Sequence, residues 1–424
     1  MSHDGPEAQG ARPVRGARRP IQDALPIDTA RALVLADVVP VTRVERVTLT
    51  DACGRVAASD IVSAIDVPPF DRAAMDGYAV IAADTRGATN GDPRTLTRVD
   101  TVYTGDTPRR AITQGQCADI ATGAPMPEGA DAVVMVEHTE AEHTERDGNL
   151  VKVFVPVEPG QHVGRQGADI GQGATVVARG AHLSPARVGA LAATGIADVD
   201  VFEKPRVAIL STGNEVVDPG TPLLPGRIYD INRFTLDAIV RTHGGEPFAL
   251  PTAPDSLEEL TATLADAVAQ ADLVVFSGGS SVGERDLILD VLRARGEIVF
   301  HGLAVKPGKP TAFARVDGKP VLGMPGYPTS CLSNAYILLV PLLRRMAQLP
   351  DWQPRTRRLP LARRIVSTTG RHQFYTVRVA DGRAEPAFKA SGDITSMAAA
   401  DGYIEIPADT NSIDADTLVD VTLF

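Results

Sequence analysis

Asp272-Leu273-Val274-Val275-Phe276-Ser277-Gly278-Gly279-Ser280-Ser281-Val282-Gly283-Glu284-Arg285-Asp286 is the stretch on which the reading of the fold turns. A short apolar run that ends at glycines reads as a buried strand. It empties into a loop with three glycines and three hydroxyls, and helix-forming residues follow from Leu287 to Arg295. In a strand, glycine-rich loop and helix start, backbone N–H groups can face an anion. Asp286 then sits where a carboxylate can hold a divalent cation beside a phosphate. A turn that merely closes a parallel strand has the same composition, so this loop does not decide the matter alone.

The flanking sequence repeats the grammar. Val207-Ala208-Ile209-Leu210 reads as a strand that runs into Ser211-Thr212-Gly213-Asn214-Glu215. Residues 228–243 have helical apolar spacing (Ile231, Leu236, Ile239, Val240) and stop at Gly244-Gly245. Ser256-Leu257-Glu258-Glu259 is a capping box, and it opens a helix with Leu257, Leu260, Leu264 and Val268 inward. After the central strand come another helix and the strand Glu297-Ile298-Val299-Phe300. Strands alternating with helices of this length predict a doubly wound α/β domain over residues 201–349. Such sheets bind ligands outside the carboxyl ends of their strands. Four loops fall there: Ser211–Glu215, Ser277–Asp286, Ala304–Pro310 and Gly323–Ser330. All carry Gly or Pro with polar groups, and their convergence says more than any one loop.

The rest of the 424-residue chain is too long for one core, and about two to four domains are expected. Residues 1–22, with Arg12, Arg15, Arg18 and Arg19 among Gly, Pro and Ala, are expected to be a disordered basic tail. From Asp28, read as a helix cap, Ala30, Leu33, Val34 and Val38 mark one apolar helix face. Short β segments broken by Gly, Pro and Asp fill residues 62–156, a small β module inserted between two pieces of a mixed domain, 23–61 and 157–200. Ser184, Pro185 and Gly195 bracket a helix in the second piece. Residues 350–424 read as short strands with turns at Asp381-Gly382 and Asp401-Gly402, a β-barrel-like tail domain.

Hydrophobic content of 44% and charged content of 22% are those of a globular protein. A net charge of −11 argues against a nucleic-acid binder. Cys53, Cys117 and Cys331 are far apart with no metal or disulfide spacing, and His138 and His143 in a polar loop do not make a zinc site. With no run that spans a bilayer and no signal peptide, a cytoplasmic protein without a membrane partner is expected.

Seven motifs, in order, carry a resemblance across nearly the whole chain from about residue 23. They are Phe70-Asp71-Arg72-Ala73-Ala74-Met75-Asp76-Gly77-Tyr78-Ala79-Val80, Thr122-Gly123-Ala124-Pro125, Ser211-Thr212-Gly213-Asn214-Glu215, Ser277-Gly278-Gly279, Val282-Gly283-Glu284, Lys306-Pro307-Gly308-Lys309-Pro310 and Pro325-Gly326-Tyr327-Pro328. Together they resemble the molybdopterin molybdenumtransferase family, the bacterial and archaeal MoeA proteins and the E domain of gephyrin. Asn214 stands where many relatives have Asp, Tyr327 where many have Asn, and His301-Gly302-Leu303 lacks a basic residue often found there. The resemblance implies transfer of molybdate onto adenylylated molybdopterin with release of AMP, a divalent cation such as Mg²⁺, and a homodimer whose second subunit completes the site. Other proteins of molybdenum cofactor biosynthesis are possible partners on the same ground. Tungstate insertion, molybdopterin adenylylation and a gephyrin-like scaffold are the competing readings. Adenylyl-pterin and molybdate are both anions, so an acidic protein needs a locally positive pocket to gather them.

Lys306 and Lys309 flank a Pro-Gly turn, so both ammonium groups can face one anion; the alternative is a solvated loop pair. Glu215 and Asp286 are the candidate metal ligands and catalytic acids, with helix capping as their alternative. By resemblance Asp71, Asp76 and Asp169 are further catalytic acids, although Asp76-Gly77 is also a good turn pair and Asp169 reads equally as a turn residue. Substrate contacts are expected from Thr122, Ser211, Thr212, Gly213, Ser277, Gly278, Gly279, Gly326 and Ser330, with Arg371 and Ser391 near the molybdate end. Thr122 reads equally as a turn residue, Asp131 as structural, and Cys331 as a buried small residue more than as a thiolate.

Overall fold

Every residue of Leu273–Ser277 is buried, as its unbroken apolar run requires of a strand covered on both faces. The computed structural model describes residues 23–142, 149–250, 256–278, 287–367 and 370–424. The chain divides into two compact units, Met1–Glu45 with Phe202–Phe424, and Arg46–Val201.

In the first unit the elements follow as α1 (Ile27–Leu35), β1 (Arg206–Ser211), α2 (Asn232–Thr242), β2 (Glu246–Ala249), α3 (Leu257–Gln270), β3 (Leu273–Ser277), α4 (Leu287–Arg295), β4 (Glu297–His301), β5 (Val305–Lys306), β6 (Ala312–Val316), β7 (Lys319–Met324), α5 (Pro328–Asn334) and α6 (Val340–Met346). Six strands form one sheet in the order β2-β1-β3-β7-β6-β4. Period-two alternation assigns each residue to a face. Val207, Ile209, Leu273 and Val275 join one core with Leu236, Ile239 and Val240 of α2. Ala208, Leu210, Val274 and Phe276 join the other with Leu260 and Leu264 of α3 and Val291 and Leu292 of α4. Each such aliphatic or aromatic side chain contributes roughly 1.5–3 kcal/mol by leaving water. The fold is therefore α/β with helices on both faces. The sheet is not wholly parallel, since β6 runs antiparallel to both β7 and β4.

Four local expectations are corrected. Helix α1 starts at Ile27 after Pro26, so Asp28 lies in its first turn and is not the cap. Its buried face, Ile27, Ala30 and Val34, belongs to the α/β core, whereas sequence grouping put it with residues 157–200. Residues 228–231 are outside α2: Ile228–Tyr229 pairs in parallel with Val216–Val217, and an Asp230 carboxylate oxygen accepts the Arg233 N–H at the helix start. Ser256 does cap α3 by accepting from the Glu259 N–H, but Leu257 is 49% exposed. At the first helical position its side chain points off the apolar stripe.

Helix α5 continues through a π turn, Ala335–Leu339, into α6. Pro341 has no N–H to offer the Ile337 carbonyl, which instead accepts from the Arg31 Nε–H at 3.4 Å. The chain then enters an antiparallel β-domain of β8 (Thr356–Pro360), β9 (His372–Ala380), β10 (Arg383–Pro386), β11 (Gly402–Ile406) and β12 (Leu418–Leu423). Asp381 and Gly382, both at positive φ, turn β9 into β10. β5 joins this second sheet by pairing in parallel with β9, Lys306 opposite Gln373.

In the unit Arg46–Val201, a six-stranded mixed sheet is ordered Ala132–Met135, Gly77–Val80, Gln116–Ile120, Arg94–Val102, Leu150–Val153 and Thr139–Glu142. Gly77–Val80 is buried throughout, with Tyr78 and Val80 in one core and Ala79 in another. A third core, around Leu183, Leu191 and Val201, carries the helix Pro185–Ala193, capped as expected by Ser184. No helix among the described residues is long and apolar enough to cross a membrane.

Candidate functional site

The carboxyl ends of β1, β3 and β7 lie side by side: Ser211 pairs with Ser277, and Ser277 with Met324. Where the strands stop, two backbones must pass closely. Gly278 sits at φ +109, and a Cβ there would run into the Thr212 carbonyl oxygen. Only glycine meets both demands. A Cβ on Gly326 would lie 3.5 Å from the Gly278 Cα, an ordinary contact distance, so the two glycines are neighbours at these ends.

These ends border a cavity of about 730 Å³. Of the predicted residues, Glu215, Gly278, Lys306, Lys309, Gly326, Ser330, Arg371 and Ser391 line it, together with Tyr327 and Phe388. Among the described residues its charged lining is three cations, Lys306, Lys309 and Arg371, and one carboxylate, Glu215. In a chain of net charge −11, the described lining of this pocket is locally positive, the arrangement that attracts an anion. The Glu215 carboxylate folds back over Gly213, within 2.8–3.0 Å of where a Cβ would be. Ser391 joins the β-domain to the helix start by accepting the Thr329 hydroxyl at 2.5 Å and its N–H at 3.3 Å.

Ser211, Thr212, Gly213 and Ser277 are buried at the strand ends and do not line the cavity. The hydroxyls of Ser211 and Thr212 have no hydrogen-bond partner among the described residues. Cys331 is fully buried beside Ser277, and desolvation pushes its thiol up to about 12, so it is a core residue and not a thiolate. Gly279 and Asp286 lie outside the described residues.

Asp71, Asp76, Thr122 and Asp169 belong to the other unit. Asp71 accepts from the Gln166 N–H at 2.8 Å and from Arg165 at 2.6 Å. The backbone N–H above all, then the guanidinium, hold its carboxyl below the usual range. Asp76 accepts from both the N–H (2.6 Å) and the hydroxyl (2.8 Å) of Thr122, and the same two groups lower its pKa, the N–H more. Asp76 and Thr122 are thus tied to each other across 46 residues of sequence. Asp131 caps a turn by accepting from the Ala82 N–H, and Asp169 is exposed.

Sequence reading missed four polar residues. Asp230 and Asn232 are 5% and 7% exposed, each with one oxygen lacking a partner among the described residues. Asn232 donates to the Gly326 carbonyl at 2.9 Å. The Asp-x-Asn spacing before a helix was the available signal. Asn334 and Thr311, both wholly buried, bond to Gly308 between the two lysines. No local pattern marks a polar residue inside an apolar helix as special.

A curated protein of Mycobacterium tuberculosis named Molybdopterin molybdenumtransferase 2 is 35% identical over 400 residues, 92% of this chain and 97% of that protein. The chain belongs to the MoeA family. Three family models tile it: the MoeA N-terminal region (domain I and II) over residues 25–195, a probable molybdopterin binding domain over 208–345, and the MoeA C-terminal region (domain IV) over 358–424. A molybdopterin molybdenumtransferase of Haemophilus influenzae is 37% identical across 78% of this chain and 79% of its own. The crystal structure of a MoeA protein from a Pyrococcus species matches with a TM-score of 0.80 and 40% identity over 95% of this chain and 99% of that one. As a MoeA-family member the protein is a transferase of molybdenum cofactor biosynthesis.

The MoeA family implies a divalent cation. Among the described residues no cluster of three or more His, Cys, Asp or Glu could enclose a metal. Mg²⁺ does not need one, since it is commonly held by one or two carboxylates with substrate oxygens and water. Among the described residues Glu215 is the carboxylate that lines the cavity and could serve in this way.

Proposed function

We propose that the cavity binds adenylylated molybdopterin and molybdate together, and that the protein inserts the metal into the pterin dithiolene with release of AMP. The observation that carries this reading is the trio Lys306, Lys309 and Arg371 around a glycine-walled opening. A pyrophosphate and a tetrahedral dianion both call for cations and close backbone approach. Lys306, Lys309, Arg371, Ser330 and Ser391 would hold molybdate. Gly278 and Gly326 leave room for the phosphates. Glu215, with Asp286, would hold Mg²⁺, which would neutralise phosphate charge. Asp71, Asp76, Asp169 and Thr122 would act in a homodimer, from the second copy. The soluble cytoplasm is the compartment that suits these substrates.

The test is to incubate the protein with adenylylated molybdopterin, Mg²⁺ and molybdate and to follow AMP release. Lys309→Ala should lower the molybdate-dependent rate at least tenfold while the melting temperature stays within a few degrees. An unchanged rate would defeat the assignment. ATP consumption with molybdopterin in the absence of molybdate would favour an adenylyltransferase instead. Tungstate is a dianion of nearly the same size, and competition between the two oxyanions measures any preference.

A further inference from the structure

The loop that carries Lys306 and Lys309 is gripped from within the protein by side chains that never reach the cavity surface. Asn334, 0% exposed, donates from Nδ2 to the Gly308 carbonyl at 2.9 Å and to the Thr311 hydroxyl oxygen at 2.5 Å. Thr311, also 0% exposed, donates that hydroxyl to the same carbonyl at 2.9 Å. The ring of three bonds fixes the amide orientation, because a carbonyl can only accept and so must face the NH₂ side. Gly308 is at φ +109, and a Cβ there would collide with the Asn334 carboxamide. Next along the chain, the Lys309 carbonyl accepts from the N–H groups of Leu303 and Thr311 at 2.8 and 2.9 Å. Two successive carbonyls between and beside the lysines are therefore tied inward. Lys306 itself is fixed in a strand opposite Gln373.

An apolar residue at position 334 would suit the surrounding core better than a carboxamide whose oxygen has no partner among the described residues. A satisfied buried network rigidifies what it holds, and here it holds the backbone between two cations. Resting on the reading of Lys306 and Lys309 as oxyanion ligands, we propose that Asn334 and Thr311 are positioning residues that set the spacing of the two ammonium groups for a tetrahedral dianion. They act through Gly308 and touch no substrate.

The experiment compares molybdate binding by calorimetry, KM for molybdate, kcat and melting temperature in wild type, Lys309→Ala, Thr311→Val, Thr311→Ser and Asn334→Ala. Thr311→Val keeps the shape and removes the hydroxyl, so it should fold even where Asn334→Ala is too costly. It should weaken molybdate about tenfold in both affinity and KM, with a melting temperature close to wild type. Thr311→Ser, which restores the donor, should restore the affinity. Asn334→Ala should weaken molybdate at least as much as Thr311→Val. If Lys309→Ala leaves molybdate affinity intact, the oxyanion reading itself fails and takes this proposal with it. If Lys309→Ala weakens binding but Thr311→Val and Asn334→Ala bind molybdate as wild type does, the lysines stand and positioning is overturned. A fall in melting temperature and kcat with KM for molybdate unmoved would show a structural role only, and would overturn it equally.

Discussion

His243 should make the α/β unit lose stability in mild acid. The residue is 7% exposed at the end of α2, edge-on to Trp352 at 5.6 Å and to Tyr336 at 6.3 Å. Its Nδ1 has no partner among the described residues. Burial first, and then the charge of Arg344, push the imidazole down to about 4. In the unfolded chain it takes up its proton near pH 6.5. Between these values the unfolded state binds the extra proton, so stability is full above about pH 6.5 and declines as pH falls toward 4. A gap of about 2.5 units is worth about 3 kcal/mol at most, and about 2 kcal/mol of it should be gone at pH 5. Trp352 is the sole tryptophan, so its fluorescence in urea reports this unit directly. Against wild type, His243→Phe should be equal or slightly more stable at pH 8, having lost a buried unpaired nitrogen. At pH 5 it should be the more stable by about 2 kcal/mol beyond that difference. Parallel pH dependences for the two proteins would refute the account.

Gly278→Ala places a methyl against the Thr212 carbonyl at a positive φ. It should cost about 1–3 kcal/mol and abolish AMP release; wild-type melting and turnover would contradict the close approach. In the other unit, the Asp71 carboxyl should titrate below the usual carboxylate range by NMR. Its contribution to stability is present above the unfolded pKa and lost as pH falls through the lower folded one. Arg165→Ala should raise the Asp71 pKa only part-way, because the Gln166 N–H is the larger cause; a full return to the ordinary value would reverse that order. Burial pushes the thiols of Cys117 and Cys331 up to about 12, whereas Cys53 is exposed. Iodoacetamide at pH 8 should therefore label the native protein once, at Cys53, and mass spectrometry of its peptides decides this.

Some of this architecture can be read directly from sequence because local chemistry and tertiary demand agree. Leu273–Ser277 can be nothing but a buried strand, and Ser184 and Ser256 cap the helices they precede. Where the two diverge, sequence misleads. Ile228 and Tyr229 carry helix-compatible spacing, yet a short parallel bridge to Val216–Val217 takes them. Helix α1 lies far from its packing partners in the chain, so no local signal says which core receives it. At the site, motif order brings eight predicted residues to one cavity. Spacing cannot show that Asp76 is already occupied by Thr122, nor that Asn334 turns inward to Gly308.

The one strand that breaks the parallel pattern explains why the lysine loop belongs to this cavity. β4 ends at His301, which pairs with Ala312, the first residue of β6, and Ala312 pairs in turn with Gly323 of β7. Because β6 runs back, the loop between β4 and β6 leaves and returns at the same carboxyl edge. Had β6 been parallel, the chain would have had to cross to the opposite edge before starting it, since parallel neighbours need a crossover. The Lys306–Lys309 segment would then have been drawn away from Gly278 and Gly326. Instead both ends of the loop are anchored in the row that ends β3 and β7, with Gly302 donating to the Thr311 carbonyl at 2.8 Å across its base. Reversal of a single edge-side strand thus converts a connection into a binding loop, and the buried Asn334–Thr311–Gly308 network fixes its shape once it is there.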